Sequence, residues 1–277
     1  MRQIFVVLVT VSLVVACSAS GKRSGFAKPM AKVDVMREIA MTGNLKPVDF
    51  SGKNLSDLDL ANTNFRGANL KGTYFRYSDL KESNFQNADL SGANLRQTRL
   101  VGSLMAGANL RGANLQSADL RGAVLDGVDL SNADLTGARL DRASMRNINL
   151  AGATLTDASL VKAYLGDSNL SGVDLRKVNL KGADLFGTIL RGSNFEGTNL
   201  KSVDLSHTDL SGSNLQRADL SYANLQHALL FGANFYQAKM DKSVLVIGAK
   251  GNICLEVIKI LSEMDINCLM IFVMLKL

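Results

Sequence analysis

Residues 107–125 read GANLRGANLQSADLRGAVL, in which leucine recurs at every fifth position, as Leu110, Leu115, Leu120 and Leu125. An amphipathic helix repeats its apolar residues every three to four positions, and a half-buried strand repeats them every two. A period of five fits neither element. The stretch therefore indicates a fold built from short internal repeats.

The five-residue period runs without insertion from Phe50 to Leu245 and gives 40 central positions. Of these, 31 are Leu, six are Phe and three are Met, so every unit carries one large apolar residue. The residue two before the centre is Ala, Ser or Thr in 32 of the 40 units, and the residue one before it is Asn or Asp in 27. Most glycines fall two after the centre. The repeated word is A-(D/N)-L-x-G, and its uniformity predicts one repeat domain over residues 50–245.

This word resembles the pentapeptide-repeat family, and the resemblance covers residues 50–245. It implies an all-β fold, a right-handed quadrilateral β-helix of about ten coils with one pentapeptide on each of four sides. In that arrangement the central residues and the small residues two before them face inward, as alternate side chains of a strand do. Asn or Asp faces outward, and Gly eases the corner. We expect a structural core that includes Leu110, Leu115, Leu120 and Leu125.

A solenoid of this kind needs its end coils covered, because open coils are unpaired sheet edges. Residues 32–49 are expected to form the N-terminal cap. A short helix is predicted over Lys32–Thr42, ended by Gly43 and Asn44. Its apolar face is predicted to comprise Val33, Met36, Ile39 and Ala40.

The chain opens MRQIFVVLVTVSLVVAC, residues 1–17, with Arg2 ahead of an apolar run over residues 4–15. This run is too short to span a bilayer and is typical of a secretory signal. The ending VVAC resembles the lipobox of bacterial lipoproteins, in which cleavage occurs before the cysteine and lipid is attached to it. The resemblance implies lipidation at Cys17.

On this interpretation residues 1–16 are the signal peptide and residues 17–31 a lipid-anchored flexible tether. Ser18 is closer to the outer-membrane sorting signal than to the inner-membrane one. The expected location is the bacterial cell envelope, with the chain anchored to the outer membrane and facing the periplasm. An ordinary signal peptide cut after Ala19 or Ser20 is the alternative.

The chain has a net charge of +6, and its repeat carries 21 Lys and Arg against 19 Asp and Glu. Basic residues recur in one column twenty residues apart, at Lys81, Arg121, Lys181 and Lys201, but apolar and acidic residues interrupt that column. Nucleic-acid binding requires a sustained basic stripe, so no nucleic-acid partner is predicted. Some pentapeptide-repeat proteins mimic DNA and protect gyrase through a strongly negative surface. That role is the alternative function here.

The only histidines, His207 and His227, are twenty residues apart and are expected to stack on neighbouring coils. Two ligands with only Asp209 nearby make a weak metal site, so they are interpreted as surface polar residues. No catalytic or cofactor-binding motif stands out in the repeat, and the sequence predicts no catalytic residue, cofactor or metal.

Residues 246–277 break the repeat and are interpreted as a C-terminal cap or a truncated Rossmann-like remnant. They resemble the first strand-turn-helix-strand of short-chain dehydrogenases, because Gly248 and Gly251 match the first two glycines of that family's turn. Cys254 stands where the third glycine belongs, and no ribose-binding residue follows. The predicted elements are a strand over Ser243–Ile247, a turn over Gly248–Asn252, a helix over Ile253–Met264 and a strand over Cys268–Leu275.

This tail leaves several roles open. It could close the last coil, or it could form a homodimer contact through its apolar run CLMIFVML. Cys254 and Cys268 are candidates for a disulfide in an oxidising compartment. An enzyme ranks last, since it rests on the Rossmann-like tail alone. The sequence therefore predicts a non-enzymatic envelope lipoprotein whose rigid β-helix binds a protein partner and is attached to the membrane through Cys17.

Overall fold

The computed structural model describes residues 28–42, 47–248 and 269–273. It contains helix α1 (Lys32–Thr42) and strands β1 (Val244–Gly248) and β2 (Leu269–Val273). The predicted signal peptide, Cys17 and the first part of the tether lie outside the described residues.

The repeat region is held together by parallel bridges between residues twenty apart, such as Asn109 with Asp129. Twenty residues are four repeat units, so four units complete one coil. The N–H of most central residues donates to the next coil along the chain, as Leu110 does to the carbonyl of Asp129 at 2.8 Å. The pairing stays a series of single bridges instead of longer strands, because most of each unit is used to turn the corner.

We call the residue two positions before each centre the axial residue. Central and axial residues together form one continuous core along the solenoid. Leu110, Leu115, Leu120 and Leu125 are at most 1% exposed, and axial Ala113 is 1% exposed. These leucines therefore face inward, toward the core. Side chains alternate as in a strand, so the outer residue, one before each centre, points away from this core.

The corner of each unit requires a left-handed backbone at the second residue after the centre. Gly112 has φ +64° there, and the N–H of Ala113 closes the turn by donating to the carbonyl of Leu110 at 3.0 Å. Eighteen glycines and twenty other residues adopt this conformation. Only glycine adopts this left-handed conformation without a steric penalty. The corner geometry therefore explains why glycine is frequent at the second position after the centre. Of the corner residues described from 52 to 242, Lys177 alone lacks a positive φ.

Helix α1 packs on the first coil through a different face from the predicted one. Val35 is fully buried, and Ile39 packs beside it against the core. Val33 and Met36 are 60% and 41% exposed, and Ala40 is exposed as well, so the predicted apolar face was wrong. Residues 35 and 39 are four apart and share one face, and a helix of this length touches the coil end along only one narrow stripe.

Strands β1 and β2 pair in parallel, with Val244 opposite Leu269. The observed bounds lie within about one residue of the predicted strand over 243–247 and inside the one predicted over 268–275. The predicted helix over residues 253–264, Gly251, Cys254 and Cys268 lie outside the described residues, as does the proposed disulfide.

Candidate interaction surface

Most outer Asn and Asp side chains are used within the repeat. The carboxylate of Asp129, for example, accepts a hydrogen bond from the backbone N–H of Ser131 at 2.9 Å, and Asn114 does the same for Gln116 at 3.0 Å. This arrangement is an Asx turn, which Asn and Asp form better than other residues. Asn and Asp are therefore frequent at the outer position because they form this turn. This agrees with the interpretation that they have a structural role in the repeat.

Ion pairs within and between units add to this pattern. The side chain of Arg121 donates two hydrogen bonds of 2.7 Å to the carboxylate of Asp119, and Arg139 lies 3.7 Å from the same carboxylate. The hydrogen bonds from Arg121 hold the pKa of Asp119 below its usual value, although partial burial opposes the shift. The pKa of Arg121 is raised in turn by Asp119.

We expect Asp119→Asn to lower the free energy of unfolding by about 1 kcal/mol at pH 7, since Arg121 is largely exposed. A carboxylate with a depressed folded-state pKa contributes stability above its unfolded pKa, and this contribution is lost as the pH falls through the folded pKa. The difference between variant and wild type should therefore shrink as the pH falls from the unfolded pKa, about 3.9, through the lower folded pKa of Asp119. Urea unfolding at a series of pH values measures it. Asp129→Asn is the matched control, and a difference independent of pH would contradict the prediction.

Exposed apolar side chains gather in the later coils. Nine such residues lie in the repeat, and seven of these follow residue 160. Apolar surface is more often clustered at binding sites than elsewhere on a soluble protein. The seven residues are Tyr164, Phe186, Ile189, Tyr222, Leu229, Phe231 and Tyr236.

Part of this surface forms a connected cluster that we call the aromatic corner: Phe186, Ile189, His207, His227 and Leu229. The rings of Phe186 and His207 are 5.0 Å apart between centroids, and those of His207 and His227 are 4.8 Å apart. On the next wall, Ile189 and Leu229 pair with Asp209 from either side. The corner thus combines stacked rings with two aliphatic side chains that are 42% and 58% exposed.

The two histidines stack on neighbouring coils, as their spacing predicts. Among the described residues, no group of three or more His, Cys, Asp or Glu side chains is placed to hold a metal ion. The His207 ring lies between the rings of Phe186 and His227 and is tilted against both. The two histidines therefore form part of an aromatic stack.

Sequence reasoning missed the aromatic corner because it treated outward positions as uniform. A signal was present: Ile189 and Leu229 occupy outer positions where Asn or Asp is usual, and Phe186 follows a centre where polar residues predominate. At positions that depart from the repeat in this way, the outward side chain does not serve to form the turn.

These features define a solenoid of five-residue units with a cluster of exposed apolar side chains on its later coils. The family model described as pentapeptide repeats matches eight copies in overlapping segments that together run from residue 54 to 245. The chain belongs to the pentapeptide-repeat family, whose members fold as right-handed quadrilateral β-helices.

Several solved structures of this family are similar to the chain. HetL from Nostoc sp. strain PCC 7120, described as involved in heterocyst differentiation regulation, is 27% identical with a TM-score of 0.48, over 78% of this chain and 97% of its own. Rfr23 from Cyanothece 51142 is 28% identical with a TM-score of 0.23, over 56% and 93%. Full-length QnrB1, a plasmid-mediated fluoroquinolone resistance protein, is 19% identical with a TM-score of 0.34, over 75% and 97%.

No curated protein sequence matches the chain significantly. Within the described residues, no helix has the length and apolar character needed to cross a membrane.

Proposed function

We propose that the protein is a non-enzymatic envelope lipoprotein whose β-helix is a rigid scaffold for a protein partner. The partner binds at the aromatic corner, and Cys17 carries the lipid anchor. The observation that supports the binding role is the cluster of exposed apolar and aromatic side chains on the later coils, since the early coils expose only two such residues.

The chemistry of the aromatic corner suits a protein partner. Aromatic residues and large aliphatic residues supply most of the binding energy at the centres of protein interfaces. Phe186 and His207 are already stacked, so they lose little conformational freedom on binding. The bridges on each side of Asp209 fix the spacing of Ile189 and Leu229, and the partner meets a preorganised surface.

The anchor rests on the sequence at the N-terminus. The lipobox-like ending VVAC supports acylation of Cys17, and multiple acyl chains on one residue give firm attachment because each buried CH₂ adds roughly 0.8 kcal/mol. The tether that follows leaves the solenoid free to present its corner to a partner in the same compartment.

Affinity capture from envelope fractions with the lipidated full chain tests the binding role. We expect Phe186→Ser combined with Leu229→Ser to reduce capture of a specific partner by at least about tenfold, the usual effect of losing interface anchors. Tyr77→Ser is the control, because Tyr77 is 48% exposed on an early coil. Equal capture by both variants would rule out the aromatic corner as the binding site.

Growth with labelled palmitate, followed by fractionation, tests the anchor separately. The wild-type chain should carry the label and sediment with membranes, and Cys17→Ser should lose both properties. Label that persists in Cys17→Ser would refute the anchor. Recovery of the chain with gyrase in the cytosol would instead support the DNA-mimic alternative.

A further inference from the structure

Most lysines of the repeat lie on one wall of its later coils, which we call the basic wall. Six of the nine lysines between residues 50 and 245 are on this wall, together with one arginine, and all seven side chains are exposed. Three aspartates accompany them, so the wall has a net charge of +4. Its segments are stacked twenty residues apart and comprise residues 157–162, 177–182, 197–202, 217–222 and 237–242. The seven basic residues are Lys162, Lys177, Lys181, Lys201, Arg217, Lys239 and Lys242.

Most of this charge forms no ion pair within the solenoid. Seven of the fourteen basic side chains elsewhere in the repeat form ion pairs. On the basic wall only Arg217 does so within the described chain, with Glu196 at 3.7 Å. Lys177 has a weaker influence of this kind, because Arg176 lowers the pKa of Asp174 and Lys177 adds to that effect.

One carboxylate lies among the lysines of the wall. Hydrogen bonds from Ser221 lower the pKa of Asp219, and the charges of Lys239 and Lys201 lower it further. A single carboxylate near two lysines compensates only part of their charge. The wall therefore remains basic after this local compensation.

The composition of the basic wall favours an anionic lipid surface as its partner. Protein interfaces are enriched in arginine and depleted in lysine, and arginine is the better residue for bidentate contacts with phosphate. The basic wall has six lysines and one arginine, whereas the rest of the repeat has three lysines and eleven arginines. Lysines beside an anionic membrane act through their charge and need no fixed contact geometry. The excess of lysine thus fits a lipid surface better than a protein or a nucleic acid.

Tyr222 adds an aromatic side chain that suits the surface of a membrane. It is 51% exposed, and the Nζ atoms of Lys201 and Lys242 lie 5.6 Å and 5.5 Å from the centre of its ring. Tyrosine is enriched at membrane–water interfaces, where its ring lies at the level of the headgroups. These three side chains therefore place positive charge and an amphipathic ring at one point of the wall.

Charge is distributed unevenly around the later coils. The wall that follows the basic wall along the chain has no basic residue in these coils and three acidic ones, Asp167, Asp184 and Asp204. The wall opposite the basic wall, two units away, carries Ile189 and Leu229 of the aromatic corner. A membrane against the basic wall would therefore leave the aromatic corner on the far side of the solenoid.

We propose that the basic wall docks on a bilayer that contains anionic phospholipids, with its lysines among the headgroups and Tyr222 at the interface. This inference goes beyond the proposed lipid anchor. The anchor attaches the chain to a membrane, whereas the basic wall determines which side of the solenoid faces that membrane. Docking by charge needs no acyl chain, so the two proposals can fail separately.

Vesicle co-sedimentation of the full chain carrying Cys17→Ser tests the docking without the anchor. We expect saturable binding to vesicles of phosphatidylcholine mixed with phosphatidylglycerol, weakened by added salt because salt screens exposed charges. Lys181→Gln combined with Lys201→Gln should reduce this binding by at least about tenfold. The matched control is Lys53→Gln combined with Arg111→Gln, which removes the same charge from exposed positions on other walls and should bind as the parent chain does.

Several results would overturn the proposal. These are equal binding to vesicles of phosphatidylcholine alone, an equal loss in the control variant, and sedimentation of the chain without vesicles. Tighter binding to a DNA duplex than to the anionic vesicles would also overturn it, since the wall would then be a nucleic-acid surface.

Fluorescence tests the orientation of the docked solenoid. The chain contains no tryptophan, so Tyr222→Trp introduces a single reporter on the basic wall. Its emission should shift to shorter wavelength when the anionic vesicles are added. Phe231→Trp is the control, because Phe231 is 64% exposed on the opposite wall and its emission should stay unchanged. A shift in Phe231→Trp without one in Tyr222→Trp would show that another wall faces the lipid.

Discussion

Leu115→Asp should lower the free energy of unfolding by more than about 4 kcal/mol, at the extreme end of single substitutions. Leu115 is 1% exposed, and its N–H donates to the carbonyl of Asp134 at 2.7 Å. A carboxylate at this place has no cation and no solvent inside the solenoid, so it must lose its charge or open the coil. Each coil contacts only its neighbours, and the damage should spread along the rod from this point. Thermal unfolding followed by circular dichroism measures the effect.

Asn114→Asp is the matched control because it introduces the same side chain one residue away. The outer residue Asn114 is half-buried, and its side-chain oxygen accepts a hydrogen bond from the N–H of Gln116 at 3.0 Å. Aspartate can accept that bond equally well, so we expect a change within about 0.5 kcal/mol. If the two variants unfolded at similar temperatures, the assignment of inward and outward positions would be wrong.

The period of five was enough to predict the path of the chain in the repeat. Each unit repeats the same choices at its central, axial, outer and corner positions, and every choice has one physical cause. A Leu such as Leu120 fills the core, an Asp such as Asp129 closes an Asx turn, and a Gly such as Gly112 adopts a left-handed corner. At these positions the local conformational preference of each residue agrees with its place in the fold. Such agreement is what allows a sequence to specify one structure.

The features that sequence reasoning missed lie where single units depart from the word. The burial of Val35 instead of Val33 depends on how α1 meets the first coil, and the period of the repeat says nothing about that contact. The aromatic corner depends on residues from three coils that are close only after folding.

Phe65→Ala should lower the free energy of unfolding by about 3–5 kcal/mol, because it removes a fully buried aromatic side chain and leaves a cavity. Phe65 is the centre of a cluster in the early coils. Its ring stacks on Phe85 at 5.1 Å and meets Phe75 and Phe50 edge-on at 5.9 Å and 6.3 Å. Aromatic pairs contribute about 0.5–1.5 kcal/mol each beyond the area they bury. Urea unfolding of the variant and the wild type measures the loss.

Phe195→Ala separates the ring contacts from simple burial. Phe195 is also fully buried in a central position, but no ring contact joins it to another aromatic residue of the described chain. Both variants lose the same side chain from the same place in the unit, so the excess loss in Phe65→Ala measures the aromatic cluster. We expect an excess of about 1–3 kcal/mol. Equal losses would mean that the early phenylalanines act only as large apolar residues and that leucine at position 65 would serve as well.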